Sequence, residues 1–172
     1  GSVLAWIYTN QTLNTASVGA NAPNGTVIRI DASLQSCKAF TEASLKTVLQ
    51  SIWTNGGKPD VIMVGGFNKR QLSTFTGNAT RFKKAEDRAL MAGIDIYESD
   101  WGELMVIPNR FMRSRDCLIL QMDMWAVSFL REFTIEELSK TGDSDFVQVI
   151  SEYTLASRNQ SASGAVWDLT TS

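Results

Sequence analysis

Four carboxylates crowd one short stretch of the chain: Asp95, Glu98, Asp100 and Glu103. Carboxylates held close together can bind a hard cation or divide acid and base roles between them. Their intervals do not follow the fixed ligand order of a calcium loop, and Asp is favoured in turns for backbone reasons of its own. A solvated hairpin is the expected reading. Gly65-Gly66, between an apolar run and Phe67-Asn68-Lys69, suggests a phosphate cradle. The glycine spacing of a dinucleotide fingerprint is missing, as is the Lys-Ser/Thr pair of a P-loop, so a tight strand-to-helix turn is expected. Arg110, Arg113 and Arg115 surround Phe111 and Met112. Such a group can stack on single-stranded bases or pair across a protein interface. The whole chain carries 16 Lys+Arg against 18 Asp+Glu, a net charge of -2, which favours the interface.

The chain has no histidine. That removes the commonest general base and metal ligand, and with them every Ser-His or Cys-His dyad. Cys37 and Cys117 stand in separate segments and are expected to be reduced core thiols rather than a disulfide framework. No catalytic, cofactor or metal residue is expected. The triplets beginning at Asn10, Asn24, Asn78 and Asn159 match the N-glycosylation pattern by coincidence in a chain rich in Asn and Thr. No stretch approaches the ~18 apolar residues of a membrane span, so no membrane partner is expected. Gly1-Ser2 reads as a cleavage scar of recombinant expression, with natural sequence expected before it.

With 44% hydrophobic and 20% charged residues, the 172-residue chain is expected to fold around a substantial core. Val3 to Tyr8 reads as a short strand or buried strap, and residues 9–24 as loop or extended chain. Thr41 is placed to cap a helix whose Leu45, Val48, Leu49, Ile52 and Trp53 share one face, with Phe40 stapled onto Leu45. Asn55-Gly56-Gly57 and Pro59 end it. A buried strand follows at 61–64, then a helix from about Asn68 to Phe75. Residues 82–92 are helix or extended. Ile94 and Ile96 with Leu104 and Val106 flank a hairpin turn at Ser99 to Gly102. Strands are expected at 118–120 and 125–130, with a break near Asp123 and one or two helical turns at 134–140. From Asp145 to Ser157 the pattern alternates, with Val147, Val149, Tyr153 and Leu155 on an inward face. A strand of that length spans about 43 Å, well beyond the usual.

Trp6, Trp101 and Trp167 lie in loop-like or hairpin contexts, where aromatics either mark protein contacts or cap the core edge. A small-molecule or carbohydrate-binding α/β domain using Trp101 and Trp167 as a platform is the rival from another class. A metal-dependent hydrolase built on the 95–103 carboxylates is a third, weakened by the missing histidine.

Several stretches carry a more specific signal. They include Ser51-Ile52-Trp53-Thr54-Asn55-Gly56-Gly57, Pro59-Asp60-Val61-Ile62-Met63-Val64-Gly65, Ile96-Tyr97-Glu98-Ser99-Asp100-Trp101-Gly102 and Ile107-Pro108-Asn109-Arg110-Phe111. Glu136-Glu137-Leu138-Ser139-Lys140-Thr141-Gly142-Asp143-Ser144 and Glu152-Tyr153-Thr154-Leu155-Ala156-Ser157-Arg158-Asn159 follow. In this order, from about Trp6 to Leu169, the chain resembles the major capsid proteins of tailed bacteriophages and prophages, C-terminal half. The resemblance implies an α+β, Hong Kong 97-like phage capsid fold. Residues 3–124 would form the axial domain at the capsomer centre, and 125–172 the C-terminal part of the peripheral domain with its long β-strand. The family's N-terminal arm, extended loop and spine helix would precede residue 1. The implied function is structural and not enzymatic: self-assembly into pentamers and hexamers of an icosahedral shell around packaged double-stranded DNA, met only non-specifically. Other phage head proteins are possible partners. The implied location is the virion, assembled in the bacterial host cytoplasm.

Overall fold

The computed structural model describes residues 3–13, 37, 39–75, 96–140 and 142–171. Thr41 is extended (φ −120°, ψ 151°), and its Oγ1 accepts a hydrogen bond from the Ser44 N–H at 3.3 Å. The Ser44 hydroxyl donates back to the Thr41 carbonyl at 2.7 Å. This cap starts helix α2 (Glu42–Thr54). Its stripe of Leu45, Val48, Leu49 and Ile52 is buried, whereas Trp53, expected on the same face, is 61% exposed. Each such side chain taken from water is worth roughly 1.5–3 kcal/mol, so packing more than propensity holds the helix. At its end the Gly57 N–H donates to the Ile52 carbonyl at 2.9 Å, across a left-handed Gly56 (φ 80°).

Around α2 the chain forms helix α1 (Val3–Trp6) and strand β1 (Asn10–Leu13), then β2 (Val61–Val64), helix α3 (Gly66–Leu72), β3 (Ile96–Ser99), β4 (Gly102–Pro108) and β5 (Cys117–Leu120). Two long strands follow, β6 (Trp125–Glu137) and β7 (Val147–Ser157), and then a short β8 (Gly164–Trp167). Six strands make one mixed sheet in the order β1-β8-β5-β2-β4-β3, while β6 and β7 form a separate antiparallel pair. The architecture is α+β.

One face of the large sheet, with Ile62, Val64, Leu104, Val106, Ile119 and Val166, packs under α2 and α3. On the other face Ile7, Leu118, Leu120, Ala165 and Trp167 pack together, with Val3, Leu4 and Trp125 against them. Strand β5 is therefore covered on both sides, which explains its unbroken Cys-Leu-Ile-Leu run. Strand β8 is central as well, antiparallel to β5 and parallel to β1. Gly164 is required there, because a Cβ would lie 2.6 Å from Val48 Cγ1 and 2.7 Å from the Asn10 carbonyl oxygen. Asn10 locks the same corner. Its amide donates to the Ser161 and Ser163 carbonyls, and its Oδ1 accepts from Ser51 and Asn55.

Several expectations are corrected. Val3–Trp6 is helical rather than a strand or strap, and residues 10–13 are sheet. The second helix covers Gly66–Leu72 and not 68–75. Residues 134–137 continue β6 instead of turning helical, because they pair with Val147 to Ile150. Residues 164–167 run inside the six-stranded sheet. Residues 82–92 and Ile94 lie outside the described residues.

Candidate assembly surface

The β6–β7 hairpin owes its two faces to its register. Val127 lies opposite Leu155, Phe129 opposite Tyr153, Ile135 opposite Val149, and Glu137 opposite Val147. Strand β7 is regular, so residues 147, 149, 151, 153 and 155 share a side. Strand β6 carries two irregularities between Phe129 and Thr134. They add residues on one strand only and return Phe133 to the same side. There its ring centroid lies 6.2 Å from Phe129 and 6.4 Å from Tyr153, and Phe129 and Tyr153 are 5.7 Å apart. The opposite side is mostly polar. Arg131 meets Glu152 at 3.3 Å, Gln148 donates to Glu136 at 3.2 Å, and Ser128 lies opposite Thr154.

The apolar side of this amphipathic ribbon is open. Val127, Phe129, Phe133, Ile135, Val147, Val149 and Tyr153 are between 49% and 73% exposed. Val147, Val149, Tyr153 and Leu155 share one face, as the alternation predicts. The expectation that this face points inward is overturned. With Val149 at 65% and Tyr153 at 64% exposure, no described residue covers it. The root is nonetheless fastened to the body: the Arg158 N–H donates to the Met124 carbonyl at 2.8 Å, and Trp125 Nε1 donates to Ser163 Oγ at 3.1 Å. Near the tip, Lys140 and Asp145 form an ion pair at 2.6 Å. A smaller apolar group, Ile96, Met105 and Ile107, is exposed at the β3–β4 edge of the large sheet.

The residues singled out for chemistry fare differently. Glu98 and Glu103 are cross-strand partners on the β3–β4 hairpin, and Asp100 sits in its turn, while Asp95 lies outside the described residues. Among the described residues no group of three or more His, Cys, Asp or Glu is placed to hold a metal. Gly65 caps α3, and a Cβ there would meet Ser114 Cα at 3.0 Å, so close packing accounts for it. Arg113 is engaged within the chain. It holds Asp116 at 3.1 Å and Asp168 at 3.0 Å, both carboxylates being fully buried. Arg115 contacts the Cys37 thiol. Phe111 is almost wholly exposed.

The tryptophan platform fails on burial. Trp167 is 0% exposed and its Nε1 donates to Gln11 Oε1 at 2.8 Å, whereas Trp101 packs against the core on the other side of the sheet. An open depression of about 400 Å3 lies on the long hairpin, lined by residues 128–130 and 152–154, and neither tryptophan reaches it. Among the described residues no helix is long and apolar enough to cross a membrane.

A family model described as the SU10 major capsid protein matches residues 1–170. A search of curated proteins finds no match. Among solved structures, a chain described as the crystal structure of a virus-like particle from Pyrococcus furiosus is similar at 14% identity and a TM-score of 0.41. The alignment covers 78% of this chain and 58% of that one, so the present chain spans less than two thirds of that relative's length.

Proposed function

The chain belongs to the SU10 major capsid protein family, and from that premise we propose that it is a shell-building part of a tailed-phage or prophage head with a Hong Kong 97-like fold. The family implies a structural rather than a catalytic role. The six-stranded sheet with its helices is the axial body, and the long hairpin belongs to the peripheral domain. Residues 160–169 go with the axial body, because β8 is one of its strands.

The observation that carries this reading is the open apolar face of β6–β7. An isolated two-stranded hairpin is marginal in water. Here one is built with strands of 13 and 11 residues. A hairpin of that length with an apolar side makes physical sense when another surface covers it. Seven side chains exposed to this degree offer roughly 800 Å2, the share one partner gives to a specific protein interface. Pentamers and hexamers need one patch of a subunit to meet a different patch of the next. The chain is slightly acidic, so packaged DNA is met only non-specifically. The location is the virion, with assembly in the bacterial host cytoplasm.

Negative-stain microscopy of the natural gene product, expressed whole and with its neighbouring head genes, tests the reading. Closed shells are expected. A product that forms no particle under any assembly condition would count against it.

A further inference from the structure

We propose that Asn55 is a deamidation site that the fold closes: an unfolded chain loses the Asn55 side-chain nitrogen in a reaction completed by water, and the altered chain then folds back poorly. The inference is independent of the assembly reading. It rests on the end of α2 and on the corner where β1 and the approach to β8 meet it.

The chemistry follows from the pair Asn55-Gly56. Glycine has no side chain to shield its nitrogen, and its backbone turns freely. The Gly56 backbone nitrogen can therefore attack Asn55 Cγ. The new N–Cγ bond forms as the Cγ–Nδ2 bond breaks, the Gly56 amide proton goes to the departing nitrogen, and ammonia leaves a cyclic imide. Water opens that ring at either carbonyl. The product is aspartate, or an isoaspartate whose backbone is longer by a methylene. No oxidant, metal or further reactant is needed.

Three observations close this route in the folded chain. The attacking group is engaged, because the Gly56 N–H donates to the Trp53 carbonyl at 2.9 Å. The leaving group is engaged as well: Asn55 Nδ2 donates to Asn10 Oδ1 at 2.6 Å and to the Ser51 carbonyl at 3.0 Å. The third is backbone geometry. Asn55 sits at φ −85° and ψ 9°. Ring closure needs the Gly56 nitrogen on the same side of the Cα–C bond as Cβ, and at this ψ it is turned away. The Asn55 N–H on the Ser51 carbonyl and the Gly57 N–H on the Ile52 carbonyl hold that backbone in place. Reaction therefore requires the last turn of α2 to open and the Asn10 contact to break with it.

Neither product fits the corner. A carboxylate at position 55 has no hydrogen to donate, yet it would face Asn10 Oδ1 and the Ser51 carbonyl, both acceptors. It would also stand at the negative end of α2. An isoaspartate displaces Gly57, which is packed so closely that a Cβ there would lie 2.7 Å from Ala162 Cα. Asn10 in turn holds the Ser161 and Ser163 carbonyls, so the loss reaches the segment that leads into β8.

Peptide mapping by mass spectrometry, with an enzymatic isoaspartate assay, tests this on the chain held at mildly alkaline pH, native and in urea. In urea Asn55 is expected to deamidate at a rate close to that of Asn24, which also precedes a glycine, and to yield isoaspartate. In the native chain Asn55 is expected to react more slowly, on the order of tenfold or more, because only molecules with the end of α2 open can react. Asn10→Ala removes the acceptor of the Asn55 amide and is expected to raise the native rate. If Asn10→Ala does not fold by far-UV circular dichroism, the comparison of the parent chain native and in urea decides alone. Asn55→Asp is expected to lower the urea midpoint. Equal rates at Asn55 in the native chain and in urea, or no isoaspartate at position 55 in urea, overturn the proposal. A folded Asn10→Ala chain with the parent's native rate overturns the part given to Asn10. An unchanged midpoint for Asn55→Asp overturns the statement that the altered chain folds back poorly.

Discussion

Arg113 holds Asp168 at 3.0 Å across 55 positions of sequence, and with its other terminal nitrogen it holds Asp116 at 3.1 Å. One guanidinium thus compensates two carboxylates that are both fully buried. Asp168 is also the one non-glycine residue with a left-handed backbone among the described residues (φ 54°). The ion pair fixes the turn by which the chain leaves β8.

Arg113→Ala should therefore be among the most damaging substitutions in the loop between β4 and β5. Removing one partner of a buried charge pair costs about 3–5 kcal/mol, because the remaining charge is stranded. Urea unfolding should show the midpoint falling steeply, with Arg113→Lys recovering part of it. An unchanged midpoint would mean that water reaches the carboxylates.

Gly164→Ala should destabilise although it adds a single methyl. The new Cβ would press on the Asn10 backbone oxygen at 2.7 Å, and backbone cannot swing aside as a side-chain tip can. Overpacking of this kind costs about 1–3 kcal/mol. Gly56→Ala makes a useful comparison: nothing lies within 4 Å, so its cost comes from the left-handed φ of 80°.

Two aspartate substitutions should part company. Ile62 is fully buried and Val149 is 65% exposed. Ile62→Asp buries a charge without a partner and should prevent folding or cost several kcal/mol. Val149→Asp, measured on dilute monomer, should stay within about 0.5 kcal/mol of the parent. A large loss for Val149→Asp in monomer would mean that the face is covered within the chain.

Alkaline pH and thiol reagents should find two groups out of reach. Burial pushes the Cys117 thiol well above its ordinary range, with the adjacent Asp116 carboxylate adding to it. At mildly alkaline pH a thiol reagent should modify the half-buried Cys37 in the native chain, and Cys117 only after unfolding. Tyr97 is likewise raised, first by burial and then by the Glu42 carboxylate 3.3 Å from its hydroxyl. Its neutral form is favoured in the folded state. The associated stability is thus complete below the unfolded value of about 10 and is lost as pH rises above it. Denaturation midpoints should fall in that alkaline window, and less so in Tyr97→Phe.

What could be read in advance was local. Thr41, the apolar stripe of α2 and Asn55-Gly56-Gly57 all lie within one helix and its ends, so their meaning did not depend on distant chain. The residues misjudged depend on partners far away. Thr134 to Leu138 carries a good helix-start pattern, but β7 pairs with it and tertiary context overrides propensity. Arg113 looked like surface charge because Asp168 is distant in sequence. Trp167 sits among small and polar neighbours, and its burial comes from β1, β5 and α1. Alternation in β7 told which side chains share a face, yet period alone says nothing about whether anything lies on it.

The position of β8 has a consequence for how the protein is made. Its residues, 164–167, are the last of the six strands to leave the ribosome, yet they lie between β1 and β5. The first strand of the sheet therefore waits for the last. At ordinary elongation rates, about 5–20 residues per second, the 44 positions from Leu120 to Gly164 take roughly 2–9 s to appear. Through that interval the edge of β5 that pairs with β8 has no strand beside it. A strand inserted so late delays completion of the body until the entire long hairpin has been synthesised.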